Sequence, residues 1–277
     1  ERETIEEGLY ADYAATNPSK PPQVKEAVCR SLSCGNAGRG VHRASLGAAR
    51  NIYRARQTVC DFFGCSCPEQ VSFTSGITAS LNMALKGTLN PGDHVITTYM
   101  EHNSVLRPLY ELEQKGVSLS ITAPDPEAVA GEIRNNTRAV VMTHGSNVTG
   151  EVFDIRRVGQ ICRERGILFI VDSAQTAGVF PISMEEDRID ILCFAGHKGL
   201  LGPQGVGGLC LREGIHIRSL LTGGSGFDSF SKTHPDRMPE ALEAGTLNGP
   251  GIAGLEAGIR WLMSAGLDRI REHEQNH

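Results

Sequence analysis

Leu168-Phe169-Ile170-Val171-Asp172-Ser173-Ala174-Gln175 begins as an unbroken apolar run and stops abruptly at a carboxylate. A strand that is apolar at every position is buried on both faces, as in a parallel sheet covered by helices. The same order of short apolar run, small-residue loop and amphipathic helix recurs on either side. Strands are predicted at Val71–Phe73, His94–Thr98, Val117–Thr122, Ala139–Thr143, Leu168–Asp172, Ile189–Phe194 and Gly207–Leu211. Helical patterns fall between them at Thr78–Lys86, Ser104–Lys115, Pro126–Ile133 and Asp154–Arg165, the last followed by Gly166 as a C-cap. This alternation predicts an α/β fold, a mainly parallel sheet with helices on both faces in a three-layer αβα arrangement. Ligands of such sheets gather beyond the carboxyl ends of the strands, so chemistry is sought there.

Composition narrows the partners. The chain has 277 residues, enough for one large domain or two modest ones, with 40% hydrophobic and 21% charged residues, which excludes a disordered, collagen-like or coiled-coil chain. Lys plus Arg number 27 against 32 Asp plus Glu, a net charge of -5 that offers no electrostatic case for nucleic acid or an anionic membrane. No apolar run approaches the ~18 residues of a membrane helix, and no signal peptide is visible, so a soluble protein is expected. The eight cysteines are scattered through a chain too large to need a disulfide framework, which suggests a reducing cytoplasm. Cys193 and Cys210 in apolar strands and Cys29 on a helix are expected to be inert core thiols, and Cys65-Ser66-Cys67 lacks the spacing of a metal or redox pair.

Four segments at strand ends carry possible chemistry. Phe73-Thr74-Ser75-Gly76-Ile77-Thr78 runs from a strand into a helix whose free N–H groups and hydroxyls could cradle a phosphate; an ordinary Ser/Thr N-cap reads equally well. Asp172 suits a general base, a metal or a heterocyclic nitrogen kept protonated, or caps the next turn. No second carboxylate or His lies nearby at ligand spacing, so metal is the poorer option. Lys198, in Phe194-Ala195-Gly196-His197-Lys198-Gly199, follows an apolar strand and is either an imine-forming nucleophile of lowered pKa or a lysine on a flexible loop. His102, in Met100-Glu101-His102-Asn103-Ser104, could stack on a flat ligand or move a proton, or be a plain loop histidine. Together they describe one ligand with a phosphate, a ring nitrogen and an aldehyde, which is pyridoxal 5′-phosphate.

The motifs Thr74-Ser75-Gly76-Ile77-Thr78-Ala79-Ser80, Glu101-His102-Asn103-Ser104-Val105, Asn147-Val148-Thr149-Gly150, Val171-Asp172-Ser173-Ala174-Gln175, Gly196-His197-Lys198 and Glu243-Ala244-Gly245-Thr246-Leu247-Asn248, in that order, resemble the class V aminotransferase superfamily, and within it the cysteine desulfurases and selenocysteine lyases. Tyr10-Ala11-Asp12-Tyr13-Ala14-Ala15-Thr16 is similar to that family's start. The resemblance implies a fold-type I enzyme with a seven-stranded mixed sheet, working as a cytoplasmic homodimer. It implies Lys198 as the Schiff-base lysine, Asp172 as the pyridinium partner, His102 stacked on the ring and moving protons, Gln175 at the ring hydroxyl and Asn147 beside cofactor and substrate. The phosphate would be held by Thr78 with the Ile77 amide, by His197, and by Thr246 reaching across from the other subunit.

The implied activity is removal of sulfur or selenium from L-cysteine or L-selenocysteine, leaving alanine and an enzyme persulfide, with a protein as a possible sulfur acceptor and iron–sulfur cluster assembly as a destination. The alternatives are a transaminase or epimerase of the same superfamily, or a non-catalytic chain that holds the cofactor or merely dimerises. A nicotinamide site is disfavoured, since no strand precedes Gly-x-Gly-x-x-Gly. Ala195 stands where the family commonly has a phosphate-bonding Ser, which predicts weaker cofactor binding. The expected organisation is an N-terminal segment 1–20, a large cofactor domain 21–262, and in 263–277 the start of a small C-terminal domain that carries the family's catalytic Cys and substrate-carboxylate Arg. Apolar surface around Ile259, Trp261 and Leu262 is then expected to be exposed.

Overall fold

The computed structural model describes residues 10–38, 42–226 and 230–275. Seven strands form one sheet: β1 (Val71–Thr74), β2 (His94–Thr98), β3 (Ser118–Thr122), β4 (Thr137–Thr143), β5 (Leu168–Asp172), β6 (Ile191–Ala195) and β7 (Gly207–Leu211). Their order is β1-β7-β6-β5-β4-β2-β3. The β2–β3, β2–β4, β4–β5 and β5–β6 pairs are parallel, and β7 runs antiparallel to both β1 and β6. Six strands therefore point the same way, and the carboxyl ends of β1, β2, β4, β5 and β6 meet along one edge with Gly207, the first residue of β7.

Among the described residues there are eight α-helices around the sheet: α1 (Pro22–Ser31), α2 (Arg43–Phe63), α3 (Ile77–Thr88), α4 (Asn103–Glu113), α5 (Pro126–Gly131), α6 (Ile155–Arg165), α7 (Gly249–Ala265) and α8 (Leu267–Gln275). Each side of the sheet has its own apolar core. One is built on Phe63, Phe169, Val171, Phe194 and Ile259, the other on Leu81, Leu85, Leu109, Ile170 and Leu209. Phe169 and Ile170 are neighbours on β5 and feed opposite cores, which is why that strand reads as continuously apolar. The predicted strands and helices all appear, with ends shifted by a few residues. Asp154 caps α6 through its side chain to Arg157 N at 3.0 Å, and Gly166 closes it in the left-handed conformation at φ 67°.

Two expectations are corrected. Ile259 and Leu262 are 0% and 1% exposed, in the core with Ile252 and Leu255, while Trp261 alone of the three is open at 37%. The cause is close packing of α7 on α1 and on the loop after Lys198: a side chain on Gly254 would sit 2.8 Å from Val28 Cγ2 and 2.9 Å from Pro203 Cδ. Cys29 faces outward from α1 and is exposed, whereas Cys193 and Cys210 are buried free thiols as expected. Residue 262 lies inside α7, which continues to Ala265 before Gly266 breaks it ahead of α8; residues 1–9 and 276–277 of the two expected terminal segments lie outside the described residues. Among the described residues no helix is long and apolar enough to cross a membrane, and no cluster of three His, Cys, Asp or Glu could hold a metal.

One glycine fixes where Lys198 can stand. Gly178 has φ +89°, and a Cβ there would overlap the carbonyl of Gly199, the residue after Lys198. Gly178→Ala is expected to destabilise the fold by about 2–4 kcal/mol, combining left-handed strain with forced displacement of the Lys198 loop. Gly214→Ala, at φ +84° with nothing near its added methyl, should cost only about 1 kcal/mol. Urea unfolding of the two variants checks the difference, and equal losses would contradict it.

Candidate active site

The edge of the sheet holds an acid, an amine, an imidazole and an uncapped helix. Asp172 ends β5, opposite Thr143 of β4 and Cys193 of β6, and is buried. Its Oδ1 accepts from Ala174 N at 2.8 Å. Burial raises its pKa, while the Ala174 amide and the positive fields of Lys198 and His102 oppose that shift. Lys198 is half-buried just past β6, and burial lowers its pKa against the pull of Asp172 and then Asp12. These mutual effects place Lys198, Asp172 and His102 in one electrostatic neighbourhood.

The turn into α3 is the second part. Gly76 O accepts from Ala79 N at 3.0 Å and Ser80 N at 3.3 Å, so the amides of Ile77 and Thr78 precede the helical ladder. No side chain caps them, which overturns the Ser/Thr N-cap reading. Thr74 Oγ1 instead ties the turn internally to Gly76 and to Ser80 Oγ at 2.9 Å. A Cβ on Gly207 would lie 2.9 Å from Gly76 Cα, so the bare backbone of β7 is what lets the turn sit against the sheet. Ala195, the register partner of Gly207 on β6, is buried beside it.

His102 is the exposed N-cap of α4, its Nδ1 accepting from Ser104 N at 3.1 Å. That bond requires a lone pair on Nδ1, so the neutral ring carries its proton on Nε2. Ser104 Oγ lies 3.0 Å from the same Nδ1 and 2.8 Å from Thr78 Oγ1, linking the imidazole to the α3 turn.

The segment 10–20 closes over the lysine loop, a contact that the sequence motifs did not reveal. His197 Nδ1 pairs with Thr16 Oγ1 at 2.9 Å, and the His197 carbonyl receives Asn17 N at 3.2 Å and Lys20 Nζ at 2.8 Å. Burial lowers the pKa of Lys20 to about 8 and, with the two lysines, also lowers that of His197. Gln175 is half-buried after β5 and donates to Ala14 O at 3.2 Å. Asn147 is exposed on the turn between Ser146 and Gly150. Thr246 stands apart: it is exposed, accepts from Asn36 Nδ2 at 3.3 Å, and lines a cavity of about 480 Å³ with Cys34, Asn51, Gly224 and Pro250. Glu101, Asp12, Thr16, Lys20 and Ser104 received no role from the sequence, although all but Lys20 lie inside motifs quoted above.

Comparison with known proteins gives the family and the fold. The family described as aminotransferase class-V matches residues 9–277. The probable cysteine desulfurase of Pyrococcus abyssi is 32% identical over 98% of this chain and 71% of its own length. The cysteine desulfurase IscS of Cronobacter sakazakii is 36% identical over 95% of this chain and 66% of its own. The apo structure of a cysteine desulfurase from Thermococcus onnurineus NA1 superimposes with a TM-score of 0.89 at 34% identity, covering 97% of this chain and 70% of that one. The chain thus spans about two thirds of the length of the relatives it matches, and it belongs to the class-V aminotransferase family, with the fold-type I sheet expected from its motifs.

Proposed function

We propose that this class-V aminotransferase family chain is the cofactor-binding part of a pyridoxal phosphate-dependent cysteine desulfurase, releasing sulfur or selenium from L-cysteine or L-selenocysteine to leave alanine. One observation carries the reading: a buried carboxylate and a half-buried lysine act on each other at the strand ends beside a helix whose first amides are uncapped. Those donors suit a phosphate, an aromatic nitrogen and an aldehyde together. When bound, pyridoxal phosphate supplies an electron sink for bonds at the amino-acid Cα.

The chain's own residues would do the rest. The amides of Ile77 and Thr78, the Thr78 hydroxyl and His197 hold the phosphate. Lys198, its ammonium weakened by burial, is the covalent anchor and, once released, an amine able to take a proton. Asp172 keeps a negative charge where a ring nitrogen can hold its proton. His102, its Nδ1 tied to the Ser104 amide, presents the ring that covers the cofactor. Gln175, tied to Ala14, offers its amide to the ring hydroxyl, and Asn147 lies open for cofactor and substrate. Residues 21–262 form the cofactor domain. Thr246, outside this group in its own chain, serves the partner's phosphate in a homodimer, and a protein receives the sulfur.

The test is product analysis with L-cysteine and pyridoxal phosphate of a protein that joins this chain to the small C-terminal domain expected from the resemblance, since activity is expected to be impaired without it. Alanine and enzyme persulfide are expected in equal amounts, the persulfide being counted as sulfide once an added thiol reduces it. Amino transfer to a keto acid without sulfur release would replace this reading with a transaminase.

A further inference from the structure

Glu101, the residue before His102, is a buried acid to which the proposed chemistry gives no task. It is 8% exposed. Its Oε1 accepts from Thr98 Oγ1 at 2.7 Å, at the end of β2, and from Thr143 N at 2.9 Å, at the end of β4. Its Oε2 is buried with no hydrogen-bond partner. Thr143 is the register partner of Asp172 across β4–β5, so the strand end that Glu101 grips lies next to the one that carries Asp172, and the charge of Asp172 acts on Glu101.

Two buried carboxyl groups, one within the field of the other, do not both ionise cheaply. The surroundings decide which keeps the proton. Asp172 has the Ala174 amide and two groups of positive field, Lys198 beyond β6 and His102 at the head of α4. Glu101 has neutral donors only, Thr98 from β2 and Thr143 from β4, and the charge acting on it is that of Asp172. His144, next on β4, turns its ring to Phe180 instead. An ionised Oε2 would be a bare buried charge, whereas an O–H there is a single unmade hydrogen bond.

We propose that Glu101 is a positioning residue held as a neutral carboxylic acid, pegging the loop before His102 between β2 and β4 and leaving the buried negative charge near Lys198 and His102 to Asp172. Its bearing on cofactor chemistry rests on the function proposed above; its protonation does not. Burial, reinforced by Asp172 and opposed by the Thr98 and Thr143 bonds, lifts the group from 4.5 to about 8. A carboxyl raised in the folded state costs nothing below the unfolded value, and its cost grows with pH up to the folded value.

Two measurements on the cofactor-free protein test this. With ¹³C-labelled glutamate, the infrared spectrum at neutral pH should contain the carbonyl stretch of a protonated glutamic acid, absent from Glu101→Gln. In addition, the folding equilibrium constant of Glu101→Gln relative to wild type should rise by at least about tenfold between pH 4.5 and pH 8. A missing band in wild type, or a ratio that stays flat across that range, overturns the proposal. If Glu101→Gln does not fold, the wild-type band alone decides. Neither readout needs the cofactor, so a protein that took up no pyridoxal phosphate would sink the functional reading and leave this one standing.

Discussion

Lys198→Ala is expected to eliminate covalent fixation of pyridoxal phosphate by borohydride, while Lys20→Ala retains it. Both lysines flank His197 and both have pKa values lowered by burial, so a depressed pKa does not distinguish them. Geometry does. Lys20 Nζ is committed to the His197 carbonyl at 2.8 Å, whereas Lys198 lies within the field of Asp172 with no such bond to hold it. An amine held against its target gains a large effective concentration, so its removal should weaken retention by about two orders of magnitude or more, leaving the phosphate and ring contacts to bind weakly. Absorbance during gel filtration and mass spectrometry after reduction give the readout. Fixation that survives Lys198→Ala and disappears with Lys20→Ala would move the anchor to the other lysine.

The sheet was legible because its signal is local. Each of β2, β4, β5, β6 and β7 is a short apolar run bounded by small residues, and period and length suffice to place it. Helix α7 was hidden for the opposite reason: Gly249, Gly251, Gly254 and Gly258 argue against a helix by propensity, and the approach of α1 and the 200–203 loop, which explains Gly254 and Gly258, is not local. That packing also buries Ile259 and Leu262. In the site, Asp172, Lys198, His102 and the α3 turn could be found because each is an anomaly in its own strand-end segment. The roles of Thr16 and Lys20 could not, since their meaning lies in contacts with His197 some 180 positions away. Glu101 was quoted only as part of a motif because nothing local marks a carboxyl as buried between two strand ends.

The other large effect belongs to a buried ion pair far apart in sequence. Arg56 of α2 and Glu243, at the start of the loop carrying Thr246, have side chains 7% and 6% exposed and form two parallel hydrogen bonds of 2.8 and 2.5 Å. Arg56 Nη1 also reaches Val71 O, its guanidinium lies 5.1 Å from the Phe73 ring centroid, and Glu243 Oε1 accepts from Phe73 N at 2.7 Å. The pair therefore fastens α2, the edge strand β1 and the 243–246 loop together. Removing one partner strands the other charge without water, so Arg56→Met is expected to destabilise the protein by about 3–5 kcal/mol. Glu243→Gln should cost less, because the amide oxygen still accepts from Phe73 N and Arg56. Adding Glu243→Leu to Arg56→Met should recover part of the loss by removing the stranded carboxylate. Recovery stays incomplete, since the Phe73 N–H then lacks its acceptor at a cost of about 1–3 kcal/mol. Urea denaturation of the three variants measures this order; a single variant no worse than the double would mean that the charge is hydrated in the folded state. A loosened 243–246 loop also displaces Thr246, so in the proposed dimer Arg56→Met should weaken uptake of pyridoxal phosphate more than uptake of pyridoxal, which has no phosphate for Thr246 to hold.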